Sequence, residues 1–81
     1  MPTVTIYTTP SCGYCVAAKE FFKQHRVEYQ EKDVAADHEA RHEMIAKSQQ
    51  MGVPVITIDD NVVVGFHRPA LQELLGITEV A

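Results

Sequence analysis

Thr3 to Thr8 reads Thr-Val-Thr-Ile-Tyr-Thr, an alternation of β-branched and aromatic side chains that specifies a strand. Thr9-Pro10-Ser11 breaks it. A helical pattern opens at Cys12 or Gly13 and runs to about His25, with Tyr14, Ala17, Ala18, Phe21 and Phe22 on one stripe. A second strand is expected over Val27 to Asp33. Two strands joined by a helix need a crossover, so they pair parallel with a right-handed connection. No other feature of the chain narrows its fold as much.

The remaining elements extend that unit. Asp37 is placed to cap a second helix reaching about Gln50, with Ala40, Met44 and Ile45 inward. Gly52-Val53-Pro54 separates it from a third strand, Val55 to Ile58. Asp59-Asp60-Asn61 forms a tight turn into a fourth strand, Val62 to Val64, which makes an antiparallel hairpin. Gly65 to His67 leads into a last helix with Pro69 near its first turn and Leu71, Leu74 and Leu75 inward. Gly76 followed by apolar Ile77 fits a Schellman-type stop. The order is βαβαββα, an α/β class, and 81 residues suffice for one domain, 1–81.

Composition then limits function. A formal charge of −4 argues against a nucleic-acid partner. The longest apolar run, Val62-Val63-Val64, is far too short for a membrane span, and the N-terminus carries no basic-then-apolar signal pattern. A cytoplasmic, monomeric protein is expected. Two cysteines are too few to staple a secreted scaffold, and in a reducing compartment such a pair is catalytic or metal-binding more often than structural.

Those cysteines form Cys12-Gly13-Tyr14-Cys15 at the mouth of the first helix. There the unpaired backbone N–H groups and the positive helix end favour a thiolate, which is the reactive species. Lowering a thiol by two pH units takes about 2.7 kcal/mol. The helix end supplies about 0.3–2 kcal/mol, so amide and thiol hydrogen bonds must provide the rest. No Lys or Arg precedes Cys12, and Lys19 lies two turns down the helix, so the expected thiolate preference is moderate. Cys12 would attack a disulfide, and Cys15, one turn later and pointing inward, would resolve the mixed disulfide.

Two other patterns compete. His38-Glu39-Ala40-Arg41-His42 matches the His-Glu-x-x-His spacing of zinc peptidases, but a catalytic zinc needs a third ligand and a walled cleft. Its plain reading is a solvated helix face. Cys12, Cys15, His38 and His42 together count to a Cys2His2 zinc set, the alternative being a metal-binding module. The two halves are expected to lie apart, with His38 at the opposite end of the sheet. His25 and His67 are expected to face solvent, and Arg68 to be a plain surface charge.

The segment Ile6-Tyr7-Thr8-Thr9-Pro10-Ser11-Cys12-Gly13-Tyr14-Cys15-Val16-Ala17-Ala18-Lys19 resembles the active-site segment of glutaredoxins. Gly52-Val53-Pro54-Val55 resembles the loop that faces the cysteines there, and Gly65-Phe66 the later glycine-rich turn. The resemblance implies a minimal thioredoxin fold with sheet order 2-1-3-4 and Pro54 in the cis form. It further implies a dithiol–disulfide oxidoreductase with no tightly bound cofactor, a redox-active Cys12–Cys15 disulfide and disulfide-containing protein substrates. Val53 would pair with substrate through its backbone, with Tyr14, Pro54, Gly65 and Phe66 around it. Phe66 is left open between cleft wall and core.

Departures from the pattern concern the reductant. Glutathione-using glutaredoxins carry Lys or Arg where this chain has Thr9, Thr where it has Gly52, and Ser/Thr-Asp after the glycine-rich turn. Here that turn continues Gly65-Phe66-His67-Arg68-Pro69, which is similar to the NrdH-type redoxins that draw electrons from thioredoxin reductase, with His67 inserted. Gly13-Tyr14 is glutaredoxin-like. Glutathione and thioredoxin reductase therefore both stand as electron donors.

Overall fold

Every residue of the first strand, β1 (Val4–Thr8), is buried, because the sheet it belongs to is covered on both faces. The computed structural model describes residues 3–76. The chain continues through α1 (Gly13–Gln24), β2 (Gln30–Asp33), α2 (His38–Ser48), β3 (Val55–Ile58), β4 (Asn61–Val64) and α3 (Arg68–Leu75). The four strands lie in the order β2-β1-β3-β4, as expected. β1 and β2 are parallel, with Thr5 opposite Gln30 and Thr8 opposite Asp33. β3 is antiparallel to both β1 and β4, with Tyr7 opposite Val55 and Ile58 opposite Asn61.

Alternation along the strands sorts side chains between two cores. Val4, Ile6, Ile56, Ile58 and Val63 meet Ala18, Phe21 and Phe22 of α1 and Leu71 of α3. Tyr7 and Val55 point the other way, onto Val34 and onto Ala40 and Met44 of α2. Helices α1 and α3 thus cover one face and α2 the other.

Several boundaries differ from expectation for local reasons. The second strand starts at Gln30 rather than Val27. Arg26 turns left-handed at φ 57°, and the Val27 N–H donates to the Phe22 carbonyl at 2.8 Å, closing α1 instead of joining the sheet. Helix α2 is capped by Asp37, whose carboxylate accepts the Ala40 N–H at 3.1 Å. It stops at Ser48 because Gln49 is left-handed at φ 60°. The hairpin turn is the pair Asp59-Asp60, and Asn61 already belongs to β4. Gly76 ends α3 at φ 68° with its N–H on the Gln72 and Glu73 carbonyls. Ile77, the expected apolar partner of that stop, lies outside the described residues.

The stripe on α1 is also shifted. Its buried members are Cys15, Ala18, Phe21 and Phe22, whereas Tyr14 is 71% exposed. Cys15 points inward, as expected, and Tyr14 alone leaves the stripe for the surface. Phe66 is half-buried against the α1-side core, its ring 5.9 Å from Phe21. His25 does not stand free in solvent but stacks on Phe21 with centroids 4.6 Å apart. The Arg68 guanidinium, though on an exposed residue, sits 5.7 Å from the same ring.

Candidate active site

Strand β1 delivers the chain to Thr9, and Pro10-Ser11 turn it so that Cys12 becomes the N-cap of α1. Its backbone is extended (φ −89°, ψ 111°), and its Sγ accepts the Cys15 N–H at 3.1 Å. The thiol therefore occupies the place that Ser, Thr or Asp usually fills at a helix start. The first turn carries no acidic residue to oppose a negative sulfur. Both cysteines are in the dithiol form.

Cys15 has the opposite environment. It is 1% exposed, and burial first of all, then a hydrogen bond with Cys12 and that sulfur's charge, push its thiol up to about 12. A backbone hydrogen bond from Thr9 and the positive charge of Lys19 work in the other direction. The pair thus comprises one accessible sulfur at a helix cap and one buried thiol that stays protonated at neutral pH.

The residues expected to face substrate fall at the same end of the sheet. Because Tyr7 pairs with Val55, the preceding Pro54 lies beside the end of β1 that leads to Cys12. The Val53–Pro54 peptide bond is cis. Pro54 is buried, and its carbonyl accepts the Gly65 N–H at 2.8 Å, which ties the third and fourth expected elements of the site together. Gly65 has φ +81°, a conformation that side-chain-bearing residues avoid. Val53 is half-buried and Tyr14 exposed. Phe66 is half-buried and packs against the α1-side core.

The histidine motif joins none of this. His38 and His42 are exposed on α2, across the sheet from α1. The separation comes from the two faces and not from the two ends, since β2 finishes beside Thr8 and α2 follows it directly. Among the described residues no group of three or more His, Cys, Asp or Glu side chains is arranged to hold a metal ion. The four-residue zinc set is therefore not assembled.

Two polar clusters were not foreseen. Glu31 of β2 accepts from the Thr8 hydroxyl and from the Lys19 ammonium, each at 2.9 Å. On the opposite face Glu43 accepts from the Tyr7 hydroxyl and pairs with Lys32 at 3.0 Å and Lys47 at 3.5 Å. Of these contacts only the Glu43–Lys47 spacing of four along α2 is visible in sequence; the others need the strand register. Val16 and Met51 are further exposed apolar residues. Their sequence signal was an apolar side chain with no place in the core pattern.

Comparison with known proteins places this arrangement. The family model for glutaredoxin matches residues 4–63. The chain is 40% identical over 72 residues to an uncharacterized glutaredoxin-like 8.6 kDa protein in the rubredoxin operon of Clostridium pasteurianum, covering 89% of this chain and 96% of that one. It is 39% identical over 59 residues to glutaredoxin 3 of Escherichia coli strain K12, covering 73% and 71%. Among solved structures, the thioredoxin-like protein BC3987 superposes with a TM-score of 0.84 at 39% identity, covering 89% of this chain and 99% of that one.

Proposed function

The chain belongs to the glutaredoxin family, and from that premise we propose that it is a dithiol–disulfide oxidoreductase in which Cys12 attacks and Cys15 resolves. The observation that carries this order is the contrast between the two sulfurs. Cys12 Sγ caps α1 and accepts an amide hydrogen bond, whereas Cys15 is buried with its proton retained. A thiolate at Cys12 attacks one sulfur of the substrate disulfide and expels the other as a thiolate. Cys15 then gives up its proton and attacks the Cys12 sulfur, so the Cys12–Cys15 disulfide forms and the bond to substrate breaks. The substrate gains two electrons and, from solvent, two protons as both thiolates become thiols.

Substrate docks along Val53 and Pro54 in this reading. Val53 offers backbone for pairing with an extended peptide, Gly65 keeps that edge open by lacking a side chain, and exposed Tyr14 flanks the sulfur. The oxidised protein is recharged by thioredoxin reductase or by glutathione. Thr9, Gly52 and the run Gly65-Phe66-His67-Arg68-Pro69 remove several groups that would bind the charged ends of glutathione, which favours the reductase. The working unit is a monomer of one domain, 1–81, acting in the cytoplasm. Among the described residues no helix is long and apolar enough to cross a membrane.

The test is disulfide reduction measured with two recharging systems, NADPH with thioredoxin reductase and NADPH with glutathione reductase and glutathione. Turnover is expected with the first, and rapid turnover with glutathione alone would overturn the choice of donor. Cys12→Ser abolishes reduction, while Cys15→Ser accumulates a mixed disulfide with protein substrate. Equal residual activity in both variants would contradict the order of attack.

A further inference from the structure

Resolution of the mixed disulfide requires a thiolate from the sulfur least able to form one, and the structure places a single cation against that difficulty. Lys19 stands four residues beyond Cys15 on α1, so the two side chains are neighbours on one helix face. Its ammonium is fixed there by Glu31, 2.9 Å away on β2, and the same carboxylate oxygen accepts the Thr8 hydroxyl, 2.9 Å away on β1. Three elements thus converge to hold one positive charge on the helix face that carries the buried sulfur.

We propose that Lys19, anchored by Glu31, is a positioning residue for the second half of the exchange: it favours the Cys15 thiolate that attacks the mixed disulfide. This rests on the assignment of Cys15 as the resolving thiol. The groups acting on Cys15 are Cys12, the Thr9 amide and Lys19, while Tyr29 and Lys23 are the further titratable groups around the Lys19–Glu31 pair. In the mixed disulfide Cys12 carries no charge and no thiol proton. Two of the three influences that hold Cys15 protonated then vanish, leaving burial alone opposed by Thr9 and Lys19. The charge of Lys19, the smallest of these influences in the dithiol, thus weighs relatively more at the step where it is needed. Cys15 releases its proton to solvent, the Cys12–Cys15 bond forms, and the departing sulfur takes a proton from solvent.

The experiment is a single-turnover reaction of the reduced protein with dipyridyl disulfide, a neutral probe that releases thiopyridone once when Cys12 attacks and again when Cys15 resolves. Lys19→Met is expected to leave the first release unchanged and to slow the second about two- to fivefold. Its pH profile for that phase moves about half to one unit higher, a displacement partly offset in rate because a more basic thiolate is the better nucleophile. Lys19→Arg restores the rate. Glu31→Gln frees the same cation from its anchor without removing it, so its second release is expected to slow too, by less than in Lys19→Met. A second release in Glu31→Gln as fast as in the parent protein, or a pH profile that Lys19→Met does not move, would overturn the proposal. Failure of the parent protein to show a second release would instead remove the assignment of Cys15.

Discussion

Glu43 carries more of the charge-dependent stability than its half-exposed position suggests, and replacing it with Gln exposes how much. The carboxylate accepts the Tyr7 hydroxyl and faces the ammonium groups of Lys32 and Lys47. The Tyr7 hydrogen bond first, then Lys32, hold it down from its ordinary 4.5 to about 2. That preference for the charged form corresponds to about 3 kcal/mol in a site shielded from water. With the side chain 38% exposed, solvent screens a large part of it, leaving about 1–2 kcal/mol. Because the folded carboxylate lies below its unfolded value, this stabilisation is fully present above pH 4.5 and is lost as pH falls through about 2. Gln keeps an oxygen able to accept from Tyr7 and removes only the charge. Urea unfolding across pH, followed by circular dichroism, should show a midpoint lower by about 1–2 M at neutral pH, given a slope of about 1 kcal/mol/M. The gap between parent and variant should close as the parent's Glu43 is protonated. A gap of constant size across that window would refute the charge argument and assign the loss to packing or hydrogen bonding.

Tyr7→Phe tests the same cluster from the alkaline side. Burial and the Glu43 carboxylate hold the phenol well above its ordinary 10.0, so stability is lost as pH rises beyond that value in the parent and should fall less steeply in the variant. Asp37→Ala removes the cap of α2 and should cost about 1 kcal/mol in chemical denaturation. Phe22→Ala empties a fully buried site between Ile6, Ile56 and the ring of Tyr29 and should cost about 3–5 kcal/mol, measured in the same way. Alkylation of the reduced protein near neutral pH, read by peptide mass spectrometry, should label Cys12 in the native state and Cys15 only after unfolding, and comparable native labelling of Cys15 would contradict its burial.

Three of the four strands were readable from their β-branched runs, β2 (Gln-Glu-Lys-Asp) carrying none, and one strand–helix–strand unit admits one handedness. The cap at Asp37 was readable because its partner is three residues away. What escaped the sequence depends on contacts between distant segments. Val27 and Tyr29 alternate as a strand would, yet the Val27 N–H goes to Phe22 and closes a helix. Tyr14 shared the apolar stripe because aromatic residues mark a core, yet it is exposed, while Cys15, expected inward, is buried as a small apolar side chain. Glu31 and Glu43 look alike in sequence, both acidic and both near lysines. Only the pairing of Ile6 with Glu31, and the packing of α2 on Tyr7, decide which cations and hydroxyls each one holds. The cis bond before Pro54 followed from the family resemblance and from nothing in the residues themselves.

The spacing of the two cysteines follows from the same local geometry. A helix cap accepts from the N–H of the third helical residue, and with Cys12 as cap that residue is Cys15. Three residues beyond the half-exposed cap, the second side chain stands within the first turn of the helix and is 1% exposed. One spacing therefore sets both the hydrogen bond that Cys12 accepts and the burial that keeps Cys15 a thiol. Moving the second cysteine one position earlier would give the capping N–H to a different residue and turn the sulfur out of the core. Moving it one later would separate the sulfur from the cap. Asymmetry between two identical side chains thus arises from their places, one at the helix cap and one buried in the first turn, and the distant groups, Glu31 through Lys19 among them, adjust it afterwards.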